Sequence, residues 1–135
     1  MSGRWTAVSD SFWRRDVRYL MFIKHKELPQ SQVPPQALME AMGPFVERMF
    51  ASGKLKETAG LKPVRESVRI RSRNGELHVV DGPYAETKEV VGGYAIVETR
   101  TKDEALAIAT EFMELHRLHW PEFECESEVR LIEEM

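Results

Sequence analysis

From Asp81 to Tyr94 the chain reads Asp-Gly-Pro-Tyr-Ala-Glu-Thr-Lys-Glu-Val-Val-Gly-Gly-Tyr, a run that sets Asp81, Tyr84, Glu86, Lys88 and Glu89 close together ahead of a glycine pair. An aspartate here could act as a general acid or base: burial raises a carboxyl pKa, backbone donors or a cation lower it, and either environment prepares it for proton transfer. Asp81 could equally open the Asp-Gly-Pro-Tyr turn by accepting backbone hydrogen bonds. Tyr84 offers a phenol that can donate to a ligand, or an aromatic ring that packs with a polar tip. Glu86 and Lys88 could form the rim of a ligand pocket, and pairing of Glu86, Lys88 and Glu89 as surface ions explains them as well. Gly92-Gly93, inside an otherwise apolar segment, points to a bulge or to close approach by another chain or ligand.

Four histidines add candidates. His25 falls on the face of Ile23 if the strand pleat continues, where it could carry protons near neutral pH, or it is solvated among Lys24, Lys26 and Glu27. His78 lies opposite Arg71 on a polar face and reads as solvent-facing. His116 and His119 are three apart at a helix end with Glu122 near, a spacing that can hold a metal, but no third ligand is placed and a helix C-terminus favours histidine anyway. No metal is expected. Cys125, the single cysteine, lies among Glu124, Glu126 and Glu128, whose charge opposes thiolate formation. The sequence contains no phosphate-cradling glycine loop, dinucleotide fingerprint, nucleophile elbow or zinc protease helix, so no cofactor is expected.

The elements that must position these groups follow from the patterning. With 135 residues, 42% apolar and 30% charged, the chain suits one domain. A net charge of -3 gives no basis for holding a phosphate backbone, so nucleic acid is not an expected partner. Apolar runs are too short to span a bilayer and no secretory signal is visible, which points to the cytoplasm and away from membranes. Residues 1–16 read as an extension before a domain of residues 17–133. Val17 to Lys24 is a strand apolar on both faces. Pro34-Pro35 starts a helix with Leu38, Met42, Phe45 and Met49 at helical spacing up to Gly53, with a kink or break expected at Gly43-Pro44. Val68 to Val79 is a hairpin turning at Asn74-Gly75 that pairs Arg73 with Glu76, Arg71 with His78 and Ile70 with Val79. Continuing that register puts Asp81 on the apolar side, with Ile70 and Val79. Val90 to Glu98 is a central strand. Thr101 to Glu104 is a capping box that opens a helix with a stripe of Leu106, Ala109, Met113 and His116, flanked by Ala105, Ile108 and Phe112, and Glu128 to Glu133 is an edge strand.

This order predicts an α+β domain with two helices on one face of a mainly antiparallel sheet. Its strongest strands are apolar on both faces, yet no further element is left to cover the second. Leaving those side chains wet at roughly 25 cal/mol per Å² forgoes several kcal/mol. A homodimer with two sheets packed face to face is the expected solution.

The Asp81 to Gly93 run, together with Tyr19-Leu20-Met21, Ala37 to Met42, Asp103-Glu104-Ala105 and Glu128-Val129-Arg130, resembles the YCII-related family in its DGPF-type branch. The resemblance implies a ferredoxin-like fold forming a dimeric α+β barrel, and a ligand-sized cleft with Asp81 as its acid/base residue. In related members a histidine accompanies that aspartate; no position matches it by motif, so His25 is a spatial expectation. Tyr84 stands where phenylalanine is usual. Two functions fit. One is a small-molecule enzyme, isomerase- or lyase-like, in which Asp81 moves a proton with Tyr84 or His25 assisting. The other is a non-catalytic ligand-binding or regulatory module, since DGPF-type proteins are often encoded near extracytoplasmic sigma factors.

Overall fold

The computed structural model describes residues 16–27, 32–82, 84 and 89–134. Strand β1 (Val17–His25) leads to helix α1 (Gln36–Ala51), then β2 (Leu55–Gly60), a short 3-10 turn (Val64–Glu66), the hairpin strands β3 (Val68–Arg73) and β4 (Glu76–Asp81), strand β5 (Val90–Thr99), helix α2 (Lys102–His119) and β6 (Cys125–Leu131). Strands β2, β5, β1 and β6 lie side by side in that order, all antiparallel, and the β3–β4 hairpin is a separate two-stranded sheet. Two βαβ-type halves with this order make a ferredoxin-like α+β domain with the hairpin inserted between β2 and β5.

The hairpin register is the expected one, with Asn74 and Gly75 both at positive φ as a two-residue turn requires. Its place in the fold differs from expectation. The fourth strand of the main sheet is β2, a segment without a strand pattern in the sequence. Only Leu55 of its six residues is buried, so it has almost no apolar alternation and is held at the sheet edge by backbone pairing to β5. The last strand also begins earlier than expected, at Cys125 rather than Glu128.

Helix α1 runs unbroken through Pro44, so neither a break nor two shorter helices forms. Gly43 and Pro44 are both exposed, and the missing N–H falls where one lost ladder bond is the main cost. The helix ends at Ala51, and Gly53, at φ +80°, donates its N–H to the Phe50 carbonyl at 3.0 Å, the left-handed stop that glycine takes without strain. Helix α2 buries or half-buries the expected stripe and its flank except at Leu106. Ala105, Ile108, Ala109 and His116 are buried while Leu106 is exposed. Ala105 and Ala109 pack in the core with Val97 of β5.

Both helices cover one face of the sheet. Tyr19, Met21 and Val97 meet Phe45 and Met49 of α1 and Ala105, Ile108 and Ala109 of α2 in one core. Phe45 and Phe112 join the helices with ring centroids 6.3 Å apart, and Arg48 pairs with Glu111 across the same seam. On the opposite face, Leu20, Phe22, Tyr94 and Ile96 form a central apolar stripe and are half-buried within the chain. Charged groups rim it: Lys24 bonds Glu128 at 3.0 Å and Glu126 at 3.2 Å, and the Tyr94 hydroxyl donates to Glu57. These carboxylates push both the Lys24 ammonium and the Tyr94 phenol above their ordinary pKa.

At the start of α2, the Thr101 hydroxyl accepts from the Glu104 N–H at 3.1 Å, and the Glu104 carboxylate reaches back to the N–H of Arg100, one residue before the expected Thr101. Thr101→Ala is expected to cost about 1 kcal/mol in urea unfolding, with Thr101→Ser recovering most of it. Equal midpoints for wild type and Thr101→Ala would show that the cap contributes nothing.

Candidate functional site

The site is a cleft of about 950 Å³ between the helices and the end of the sheet where β1 finishes, β5 begins and β2 meets the 3-10 turn. Its walls include Met42, Phe45, Met49, Phe112 and Trp120. This volume and apolar lining suit a small organic molecule.

Gly92 and Gly93 shape the cleft for two different reasons. Ile23 pairs with Gly93 and Lys24 with Val91, so Gly92 is the extra residue of a β-bulge. A Cβ on Gly92 would lie 2.5 Å from His25 Nε2, so the imidazole occupies the space that the glycine leaves. A Cβ on Gly93 would lie 3.0 Å from the Ala59 carbonyl oxygen; here the missing side chain admits the backbone of β2. The close approach expected at this pair is thus made by the chain itself.

His25 lines the cleft with its Nδ1 2.6 Å from the carbonyl of Lys26. A carbonyl only accepts, so Nδ1 carries the proton and Nε2 is the remaining polar atom. The His25 ring also packs against Phe123 at 5.1 Å between centroids. Around it the cleft is lined by Val90, buried at the start of β5, and by Leu61, whose N–H donates to the Gly92 carbonyl at 3.0 Å.

Asp81 and Tyr84 lie elsewhere. Asp81 ends β4 opposite Val68, is exposed, and does not line the cleft. It shares the hairpin face of Val68, Ile70 and Val79 as the register requires, but that face is open rather than buried. Tyr84 is 6% exposed; its hydroxyl is 3.0 Å from Ser67 Oγ, and the Arg69 guanidinium sits 3.6 Å over its ring. It therefore packs at the hairpin root. Gly82 donates to the Ser67 carbonyl at 2.9 Å, and a Cβ there would lie 2.5 Å from the Val64 carbonyl oxygen, so this root is pressed against the 3-10 turn at the rim of the cleft. Glu86 and Lys88 lie outside the described residues. Glu89 is 3.9 Å from Lys24. His78 is exposed. Cys125 is half-buried, and burial pushes its thiol up, which adds to the disadvantage expected from its glutamate neighbours.

His116 lies where its place in the expected stripe of α2 puts it. In the last turn of the helix, it is 8% exposed, lines the cleft and has Nδ1 3.0 Å from the Phe112 carbonyl. The signal lay in its spacing: 108, 112 and 116 recur every four residues along the face that packs on the sheet. Among the described residues, no three His, Cys, Asp or Glu side chains gather as a metal site, and no helix is long and apolar enough to cross a membrane.

The model of the YCII-related domain matches residues 17–112. The chain belongs to the YCII-related family. It is also similar to an uncharacterized protein of Rhizobium meliloti (strain 1021), with 32% identity over 81 residues, 60% of this chain and 65% of that protein. The chain thus matches a little less than two thirds of that relative's length. The YCII-related domain here combines a ferredoxin-like sheet with a mostly apolar cleft that His25 and His116 help to line, while the aspartate of the Asp-Gly-Pro-Tyr turn does not line it.

The two glycines predict different responses to alanine. Gly92→Ala meets only the movable His25 ring and is expected to cost about 1 kcal/mol, the scale of the His25–Lys26 hydrogen bond it displaces. Gly93→Ala meets backbone and is expected to cost about 2–3 kcal/mol as β2 is pushed off β5. Urea unfolding with histidine NMR checks both: the His25 resonances should move in Gly92→Ala and stay in Gly93→Ala.

Proposed function

We propose that this YCII-related protein is a homodimeric small-molecule-binding protein whose ligand has an apolar body held in the cleft between helices and sheet, with His25 as a polar anchor. The observation that carries the reading is the apolar cleft of about 950 Å³ with the His25 imidazole in its wall. Binding is favoured over proton transfer by Asp81 because Asp81 does not line this cleft in its own chain. The Asp81 to Gly93 run supports a place in the DGPF-type branch, and ligand binding without turnover fits the regulatory role that this resemblance suggested.

The test is a thermal-shift and NMR screen of hydrophobic acids, phenols and lactones. Hits should be lost in Met42→Trp, which fills the cleft, with the far-UV circular dichroism unchanged. Asp81→Asn should keep affinity within about twofold, since a single hydrogen bond contributes more than that. Binding that survives Met42→Trp and disappears in Asp81→Asn overturns the reading and moves the chemistry to the hairpin turn.

The homodimer rests on the hairpin. Val68, Ile70, Leu77 and Val79 are 57–73% exposed on one of its faces, an apolar patch of the size that marks interaction surfaces. A second copy supplies a matching surface. Its helix-free sheet face carries Leu20, Phe22, Tyr94 and Ile96, rimmed by Glu57, Glu98, Glu126 and Glu128. Ile70→Lys combined with Val79→Lys is expected to convert a dimer into a monomer in analytical ultracentrifugation at micromolar concentration. A monomeric wild type, or a double variant that remains dimeric, removes this assembly.

A further inference from the structure

Three of the chain's seven methionines fall on one face of α1. Met39, Met42 and Met49, with Val46 between them, recur every three or four residues, and all of them line the cleft. Burial falls along this stripe toward the helix N-terminus: Met49 is 7% exposed, Met42 is half-buried and Met39 is 58% exposed. Core packing accounts for Met49, which sits with Met21 and Val97. It does not account for Met42 and Met39, which line the cleft outside that core. Another part of the lining is aromatic and held by its own contacts. Trp120 and Phe123 stack at 4.1 Å between centroids, and Phe112 meets the rings of Phe45 and His116 at 6.3 and 4.6 Å.

Resting on the cleft-binding reading, we infer that the cleft selects its ligands by apolar bulk and not by outline, taking linear, branched and cyclic hydrocarbon bodies of similar size, with Met39 and Met42 as the adaptable part of its wall. A methionine side chain is unbranched, has three rotatable bonds and ends in a polarizable thioether, so its outer atoms move to meet surfaces of different curvature and keep their dispersion contacts. Close packing removes that freedom from Met49. Met42 and Met39 lack the neighbours that would fix them. A β-branched residue in their place is stiff at χ1 and presents one outline only. Surfaces rich in methionine that repack around each partner are a recognised route to broad binding. The stacked rings supply the fixed part of the wall, against which a ligand is pressed while the thioethers close over its free side. Ordering these side chains costs entropy on binding, so breadth comes with modest affinity.

The test is NMR titration of the full chain with octan-1-ol, 2-ethylhexan-1-ol and cyclooctanol, which share a carbon count and a single hydroxyl and differ in outline. Once each dissociation constant is normalised by that alcohol's octanol–water partition, the wild-type values are expected to agree within about fivefold. Met39→Ile combined with Met42→Ile is expected to spread them over about twentyfold or more, as a wall of fixed shape discriminates. In the wild type, the Cε resonance of Met42 should settle at different positions with the linear and the cyclic alcohol, because that carbon reports the rotamer of its thioether. Should the double variant fold poorly, the volume-conserving pair Met39→Leu and Met42→Leu and the wild-type Cε shifts decide the matter. A wild-type spread wider than expected, a variant spread no wider than the wild type's, or a Met42 Cε that takes one position with every ligand overturns the shape tolerance and leaves the cleft reading intact. Binding of none of the three overturns both.

Discussion

The pairing of β1 with β5 is the constraint on which the rest of this molecule depends. It joins the first third of the chain to the last, and every other strand of the main sheet and both helices are placed against it. Within it, the bulge at Gly92 ends the regular ladder at one end of the sheet. A bulge increases local twist and bends the strand, and this end of the sheet is the one that lines the cleft. Regular pairing with a larger residue at that position would place a side chain where the His25 ring now lies.

The cleft owes its character to how few polar atoms enter it. Helix α2 contributes the alanines Ala105 and Ala109 to the core, and Phe112 and His116, with Trp120 at its C-cap, to the cleft wall. Both histidines are oriented by their own local backbone, a device that fixes a ring without a second side chain. Orientation by backbone is durable because it requires only that the helix or strand end persist. An apolar enclosure with a few directed polar atoms is well suited to discriminating between ligands by their head groups, since a mismatched polar atom there cannot recover its water.

The hairpin obeys a different logic. Its arginine side carries Tyr84, stacked beneath Arg69 and bonded to Ser67, while its aliphatic side faces outward. Within the chain this arrangement leaves the more hydrophobic face wet, the reverse of what burial alone selects. The root is nonetheless firmly tied, through Gly82 and Ser67, to the turn that borders the cleft. Whatever covers the aliphatic face is therefore linked mechanically to the cleft rim by a short, hydrogen-bonded path.

Local patterning in the sequence was enough to specify the strands of strong alternation or continuous apolarity, the hairpin register from Asn74-Gly75, the cap at Thr101 and the glycine stop at Gly53, because each depends on neighbours within a few residues. It also singled out Gly92-Gly93 as a point of close approach and Asp81 as lying on the hairpin's apolar side. What it could not specify was which surfaces meet. Strand β2 is recruited by backbone hydrogen bonds to β5 and carries little side-chain signature; the hairpin leaves the main sheet because β2 already occupies that edge. The same edge assignment separates Asp81 from the cleft, and the packing of α2 on the sheet decides that His116 lines it. These are outcomes of competition between segments far apart in sequence for one sheet edge and one core, and only the assembled tertiary structure resolves it.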